Sequence, residues 1–311
     1  MRVAIMGSGG VGAYVGARLQ TAGEQVSFIA RGTHLGALRS EGLRIEHPQH
    51  PVFLPRIEAT DAPADVGPVD LVVFAVKLWD TDAACLQMAP LVGPDTRVLT
   101  LQNGIDSIGM IGRHIDPARV RGGVIYVSAV IDRPGVVRSP GGLHQIVADA
   151  ANGDPVMAAF AAAGQRTQGL GVKLSETIGQ AIWEKFVALA SLSAATTLLR
   201  AGMGAILANL ETRLLQRQLI DEVVAVARAA GQPMRDGLAD EVMAKLAAMP
   251  PSFRSSMSED LERGKRLELD WLSGRVHALG QQLGVPTPAH STAYRALVLY
   301  KDGKDGRDAT A

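Results

Sequence analysis

Residues 2–12 read Arg2-Val3-Ala4-Ile5-Met6-Gly7-Ser8-Gly9-Gly10-Val11-Gly12, and this stretch decides the fold. A short apolar run enters a cluster with G-x-G-x-x-G spacing, and Tyr14, Val15, Ala17 and Leu19 continue it at helical spacing. Strand, tight turn and helix in that order form the opening of a dinucleotide-binding βαβ unit. Gly7 permits the turn, Gly9 leaves out a Cβ that would block a pyrophosphate, and Gly12 lets helix and strand pack closely. Ser8, Gly10 and Val11 complete this cofactor loop, and the helix N-terminus offers free N–H groups and a positive dipole end to phosphate oxygens. A glycine-rich turn without a ligand is the alternative reading of the same residues.

Outward from the motif, short β-branched runs recur at residues 25–29, 71–75 and 97–101 with helix-like segments between them, the pattern of parallel βαβ units. Their nearly unbroken apolar content predicts strands covered by helices on both faces. The fold class expected is α/β: an N-terminal Rossmann domain with a doubly wound parallel sheet over residues 1–170, and a mainly α-helical domain over residues 171–311. Residues 120–147, with turns at Pro134-Gly135 and Pro140-Gly141-Gly142, are expected to finish the sheet. Ala/Leu-rich helical patterns at 176–199, 207–230, 236–248 and 267–283 build the second domain. The tail, residues 301–311, is rich in Lys, Asp and Gly and is expected to fray.

Composition narrows the function. The chain has 311 residues, 47% hydrophobic and 20% charged, which excludes a largely disordered protein and favours two domains. Lys plus Arg and Asp plus Glu both number 31, so no general field attracts a nucleic acid and a small-molecule partner is expected. The single cysteine, Cys85, excludes an internal disulfide, no Cys/His cluster has zinc spacing, and a reducing, cytoplasmic location without a metal site follows as the expectation. Glu184, Lys185, Ser191 and Ser193 interrupt the apolar stretch at 178–199, so no membrane span is expected.

Three polar positions fall just beyond strand ends, where ligands bind in open α/β sheets. Arg31 follows the second strand where an acidic ribose clamp is usual; its guanidinium can pair with a 2′-phosphate, which favours NADP(H), or can be an ordinary solvated arginine. Lys77 and Asn103 follow the third and fourth strands. Each suits a ligand contact, and Asn103-Gly104 equally suits a turn.

Taken together, Gly7 to Gly12, Arg31, Val76-Lys77, Gln102-Asn103-Gly104, Trp183-Glu184-Lys185, and Ser255-Ser256-Met257 through Asp260 to Glu268-Leu269-Asp270 resemble the motifs of the ketopantoate reductase (2-dehydropantoate 2-reductase) family, in order and over nearly the whole chain. The resemblance implies a helical domain like the C-terminal domain of 6-phosphogluconate dehydrogenases. It also implies NADPH-dependent reduction of a 2-keto acid to a 2-hydroxy acid, ketopantoate to pantoate in pantothenate biosynthesis. It makes Lys185 the general acid, Lys77 and Asn103 contacts to cofactor and substrate, Ser256 a substrate contact and Glu268 a cofactor contact. A homodimer is a further implication.

Elementary chemistry agrees with the lysine assignment. Reduction of a ketone leaves an alkoxide that needs a proton and a nearby positive charge, and an ammonium supplies both. Lys185 lies among Ile178, Ile182, Val187 and Leu189, where partial desolvation would lower its pKa. Snorkelling to solvent, or pairing with Glu184, is the alternative; for Glu268 it is a solvated helix face.

The chain departs from the family where asparagines usually follow the lysine at four, eight and eighteen positions: here stand Leu189, Ser193 and Met203. Ser193 alone keeps a hydrogen-bonding group and is expected to contact substrate. Each lost amide partner costs about 1–3 kcal/mol when a buried substrate group goes unpaired, which favours a more apolar 2-keto acid than ketopantoate. Arg200 either clamps a carboxylate or points outward. The missing asparagines also leave open an NADP(H)-binding regulator that has lost turnover.

Overall fold

The computed structural model describes residues 1–304. They fall into two compact units that divide between Ile178 and Gly179. In chain order the first contains β1 (Arg2–Met6), α1 (Gly10–Thr21), β2 (Gln25–Ile29), α2 (Gly32–Glu41), β3 (Leu43–Glu46), β4 (Val52–Leu54), β5 (Glu58–Thr60), β6 (Val69–Phe74), α3 (Thr81–Met88), β7 (Val92–Thr100), α4 (Ser107–Ile111), β8 (Val120–Tyr126), β9 (Val130–Arg133), β10 (Val136–Arg138), β11 (Gln145–Asp149), α5 (Pro155–Gln165) and β12 (Gly171–Ser175).

Eight of these strands form one sheet in the order β12-β11-β8-β7-β6-β1-β2-β5. From β5 to β8 the neighbours are all parallel. The chain runs from β1 out to β2 and β5, then crosses back to β6 on the other side of β1, so the strand order reverses at the loops following β1 and β6. Alternation along β1 explains the unbroken apolar strands. Val3 and Ile5 pack with α1 and α5 residues such as Val15, Leu19 and Phe160, while Ala4 and Met6 pack with Ala84, Cys85, Met88 and Ile111 on the other side. Both faces are buried, so both sets of side chains must be apolar.

Three expectations need correction. Residues 120–147 do not all join the main sheet. β8 and β11 do, with β11 antiparallel to β8, but the β9–β10 hairpin pairs with β3 in a separate four-stranded sheet, order β4-β3-β10-β9. Val137, Leu43 and Ile45 of that sheet are fully buried with α1 residues. Helix α1 is buried from Gly12 to Leu19, so it needs apolar cover on its outer side as well, and the small sheet provides it. The domain boundary expected at 170/171 falls early, because β12 pairs in parallel with β11 over Gln145↔Gly171 to Asp149↔Ser175. Of the tail, Lys301 is held by an ion pair to Asp270 at 3.1 Å and by a hydrogen bond from Leu267 N to its carbonyl at 2.7 Å; residues 305–311 lie outside the described part.

The second unit is helical: α6 (Ile178–Leu199), α7 (Met203–Ala208), α8 (Leu210–Ala229), α9 (Leu238–Ala247), α10 (Ser256–Glu262), α11 (Ser273–Leu283) and α12 (Pro288–Leu297). By length and composition α6 could cross a bilayer, but 61% of its most apolar window is buried inside the protein, as in a core helix. Its hydroxyls bond backward, Ser191 Oγ to Val187 O and Thr196 Oγ1 to Leu192 O, both at 2.8 Å. The helix expected at 207–230 is broken at Asn209, whose Oδ1 accepts from Glu211 N at 2.9 Å and caps α8. The segment at 267–283 begins as a 3₁₀ turn, Leu269–Trp271, before α11. Helices α10 and α12 lie outside the four helical segments read from sequence. The amides that open α12 need an acceptor, and Glu222 of α8 takes both Ala289 N (2.8 Å) and His290 N (2.9 Å), a partner 67 residues away that periodicity cannot reveal.

Candidate active site

In the first unit the sheet register brings the expected residues to one edge. Met6 pairs with Ile29 on one side and Phe74 on the other, and Phe74 pairs with Thr100. The loops that follow carry Gly7 to Gly12, Arg31, Lys77 and Asn103, side by side at the carboxyl ends of four adjacent parallel strands.

The glycine loop has the shape its spacing implied. Gly7 has φ +96°, and an added Cβ would lie 2.8 Å from Val76 N. At Gly12 it would lie 2.1 Å from Gly7 O, and at Gly10 2.2 Å from Ala129 O. At Gly9 it would meet nothing within 4 Å, so this face of the loop is open where the other three are packed. Ser8 N donates to Ile29 O at 3.0 Å, fastening the loop to β2. A cradle open at Gly9, at the start of the twelve-residue α1, fits a dinucleotide pyrophosphate. Close approach of Ala129, from the segment after β8, is a feature the sequence reading missed.

Arg31 forms the N-cap position of α2. Its side chain is 80% exposed and its Nη2 donates to Asp80 Oδ2 at 2.7 Å, so it is neither buried nor merely solvated. Lys77 precedes the 3₁₀ turn Leu78–Asp80, with its ammonium 5.6 Å from the Trp79 ring centroid. Asn103 is partly buried, and Gly104 behind it takes φ +86°, so the chain bends at this pair as it stands at the site edge. Gln102, which precedes Asn103, is only 8% exposed, and nothing in its local sequence signals a role for it.

In the second unit Lys185 lies on α6. It retains some exposed surface, yet desolvation of its ammonium lowers its pKa to about 8, with Glu268 opposing the shift. Glu268 is 6% exposed, which removes the solvated-face alternative. Glu184 accepts instead from Arg235 Nε at 2.8 Å and Gln180 Nε2 at 2.9 Å, and these bonds hold its carboxyl below the usual range. Ser256 opens α10 with an exposed side chain; its buried neighbour Ser255 caps the helix and meets Thr196 Oγ1 at 2.9 Å.

Among the departures from the family pattern, Leu189 is partly buried and Met203 is 1% exposed. Ser193 is also 1% exposed, and among the described residues its hydroxyl has no hydrogen-bond partner. Arg200 is exposed, has φ +51°, and sets its guanidinium 6.0 Å from the Tyr300 ring centroid, the outward of its two readings.

Fold and cradle together define a Rossmann-type dinucleotide-binding protein with a second, helical unit. Residues 3–153 match the family described as ketopantoate reductase PanE/ApbA, and residues 177–301 match its C-terminal counterpart. The 2-dehydropantoate 2-reductase of Mesorhizobium japonicum is 30% identical over 93% of this chain and 94% of its own length. A crystal structure of a PanE/ApbA family ketopantoate reductase from Ralstonia eutropha JMP134, 33% identical, covers 99% of this chain and 100% of that one with a TM-score of 0.88. D-mandelate dehydrogenase, in a ternary structure with NADH and anilino(oxo)acetate, shares the fold at 21% identity, 97% coverage of this chain, 98% of its own and a TM-score of 0.85. The chain belongs to the ketopantoate reductase family, a family of oxidoreductases.

Proposed function

We propose that this protein reduces a 2-keto acid to the 2-hydroxy acid with NADPH, and that its preferred substrate carries a more apolar side chain than ketopantoate. The observation that carries the reading is the ammonium of Lys185, lowered to about 8 by desolvation beside buried Glu268. A proton donor poised near neutral pH is what the reaction needs at the carbonyl oxygen.

When bound, the nicotinamide supplies hydride to the carbonyl carbon. The chain's own residues do the rest. The loop of Gly7, Ser8, Gly9, Gly10, Val11 and Gly12 seats the pyrophosphate against the N-terminus of α1, with the Ser8 N–H spent on holding the loop to Ile29 O. Arg31 pairs with the 2′-phosphate, for which its exposed, forked donors are suited. Lys77 and Asn103 hold cofactor and substrate polar groups at the strand ends, Glu268 takes a cofactor hydroxyl, and Ser256 takes a substrate oxygen. Lys185 Nζ gives its proton to the forming alkoxide, and its charge stabilises that oxygen beforehand. Ser193 is the hydroxyl left to the substrate where the family has amides. Leu189 and Met203 offer a substrate no polar group where the family has amides, which supports the apolar substrate. The reading extends to a cytoplasmic homodimer.

The test is cofactor oxidation followed at 340 nm, with NADPH and NADH in parallel and a panel of 2-keto acids from ketopantoate to branched and aromatic members. NADPH-preferring turnover, fastest on an apolar member, is expected. Fast turnover of ketopantoate above all others removes the apolar assignment, and no turnover with any member removes the enzyme reading.

A further inference from the structure

The side chain of Gln102 bridges two of the strand-end loops. Its Nε2 donates to Val76 O at 3.1 Å and to Thr81 Oγ1 at 2.9 Å. Its Oε1 accepts from Thr100 Oγ1 at 3.2 Å, and Thr100 Oγ1 in turn accepts from Gln102 N at 3.3 Å. Thr81 is fully buried and donates to Leu78 O at 2.7 Å. One amide on the loop after β7 therefore grips both ends of the segment 76–81 after β6.

That segment carries Lys77. The carbonyl of Val76 and the N–H of Lys77 belong to one planar peptide unit, so fixing the carbonyl fixes the plane from which the Lys77 side chain departs. Packing alone does not explain a glutamine here. A leucine or methionine would fill similar volume without the desolvation that a buried amide must offset with good hydrogen bonds. The polar side chain has a use only if the backbone of 76–81 must sit at one height above the sheet.

We infer that Gln102 is a positioning residue for Lys77: it touches neither cofactor nor substrate and acts by holding the Val76–Lys77 peptide. The inference rests on the proposed reading of Lys77 as a cofactor contact. Gln102→Met keeps volume and loses the bonds; Gln102→Asn keeps the amide and loses its reach.

The experiment is a fluorescence titration of NADPH binding to wild type, Gln102→Met, Gln102→Asn, Lys77→Ala and the Gln102→Met/Lys77→Ala double variant, with Tm measured on each. Either Gln102 variant is expected to weaken NADPH by about tenfold, and Gln102→Met to add nothing once Lys77 is gone, because the two act as one unit. Full additivity of Gln102→Met and Lys77→Ala, or unchanged binding in the Gln102 variants while Lys77→Ala weakens it, overturns the positioning role. Gln102→Asn carries the same comparison if Gln102→Met does not fold. Wild type that binds no NADPH, or Lys77→Ala that binds it as wild type does, brings down the reading of the site itself and this role with it.

Discussion

Arg31 and Asp80 form an ion pair of 2.7 Å that joins the loop after β2 to the turn after β6. Because Arg31 is 80% exposed, the pair adds little to stability, and the guanidinium keeps donors to offer an incoming phosphate. Arg31→Ala should therefore weaken NADPH by about 10–100-fold, the loss of a charge-assisted phosphate contact, and leave NADH nearly unchanged. Kd values for both cofactors decide it: equal losses would show that Arg31 does not read the 2′-phosphate.

The glycine loop separates folding from binding. Gly9→Ala places a methyl in open space, so Tm should hold within about 2 °C while cofactor binding falls by more than tenfold, the methyl standing where pyrophosphate would lie. Gly12→Ala drives its Cβ to 2.1 Å from Gly7 O and should lose both stability and binding. Thermal melts with and without NADPH distinguish the two; a Gly9→Ala protein that binds normally refutes the cradle.

Lys185 sets the pH dependence. Reduction needs the protonated amine, so kcat/KM should fall as pH rises through about 8. Its stability effect has the opposite sense. The folded value lies below the unfolded 10.5, so between about 8 and 10.5 the unfolded chain binds more protons and stability rises with pH. Below about 8 the buried ammonium destabilises the fold by about 3 kcal/mol. Lys185→Met should thus lower kcat by about 10²–10⁴-fold yet raise Tm at pH 7. A Tm that drops would mean the ammonium is well solvated or well paired.

Glu268 raises the Lys185 pKa, so Glu268→Gln should move the descending limb of the pH–rate profile to lower pH, while Glu184→Gln, whose carboxylate is taken by Arg235 and Gln180, should leave the limb nearly where it is. Equal displacement by both variants would show that Glu268 is not the carboxylate that tunes the lysine.

Substrate choice is tested at Leu189. Restoring an amide with Leu189→Asn should raise kcat/KM for ketopantoate relative to an apolar 2-keto acid by about tenfold or more. A ratio that does not move would place the source of selectivity elsewhere than this position.

Much of this was readable along the chain. The residues 2–12 announce strand, turn and helix because glycine spacing and apolar alternation act over a few residues, and β1 and β2 fall where the pattern placed them. The strand-end positions were legible for the same reason, whereas Lys185 stood out only through the family resemblance, since the helix pattern around it suits a snorkelling lysine equally well. The β9–β10 hairpin was placed in the wrong sheet, since strand pattern shows that a segment pairs but not with which partner. Gln102 had no assigned role because a glutamine beside an Asn-Gly turn carries no local signal of the three bonds it makes.

Local spacing thus determined the class of fold and the form of the glycine loop, while the candidate site residues came from the family resemblance. Long-range packing alone chose the carboxylate that acts on Lys185, the pKa of that lysine, the burial of Ser193 and the bracing of the segment 76–81. Those depend on desolvation and on partners tens of residues away in sequence, and a dielectric environment exists only once the chain has closed around it.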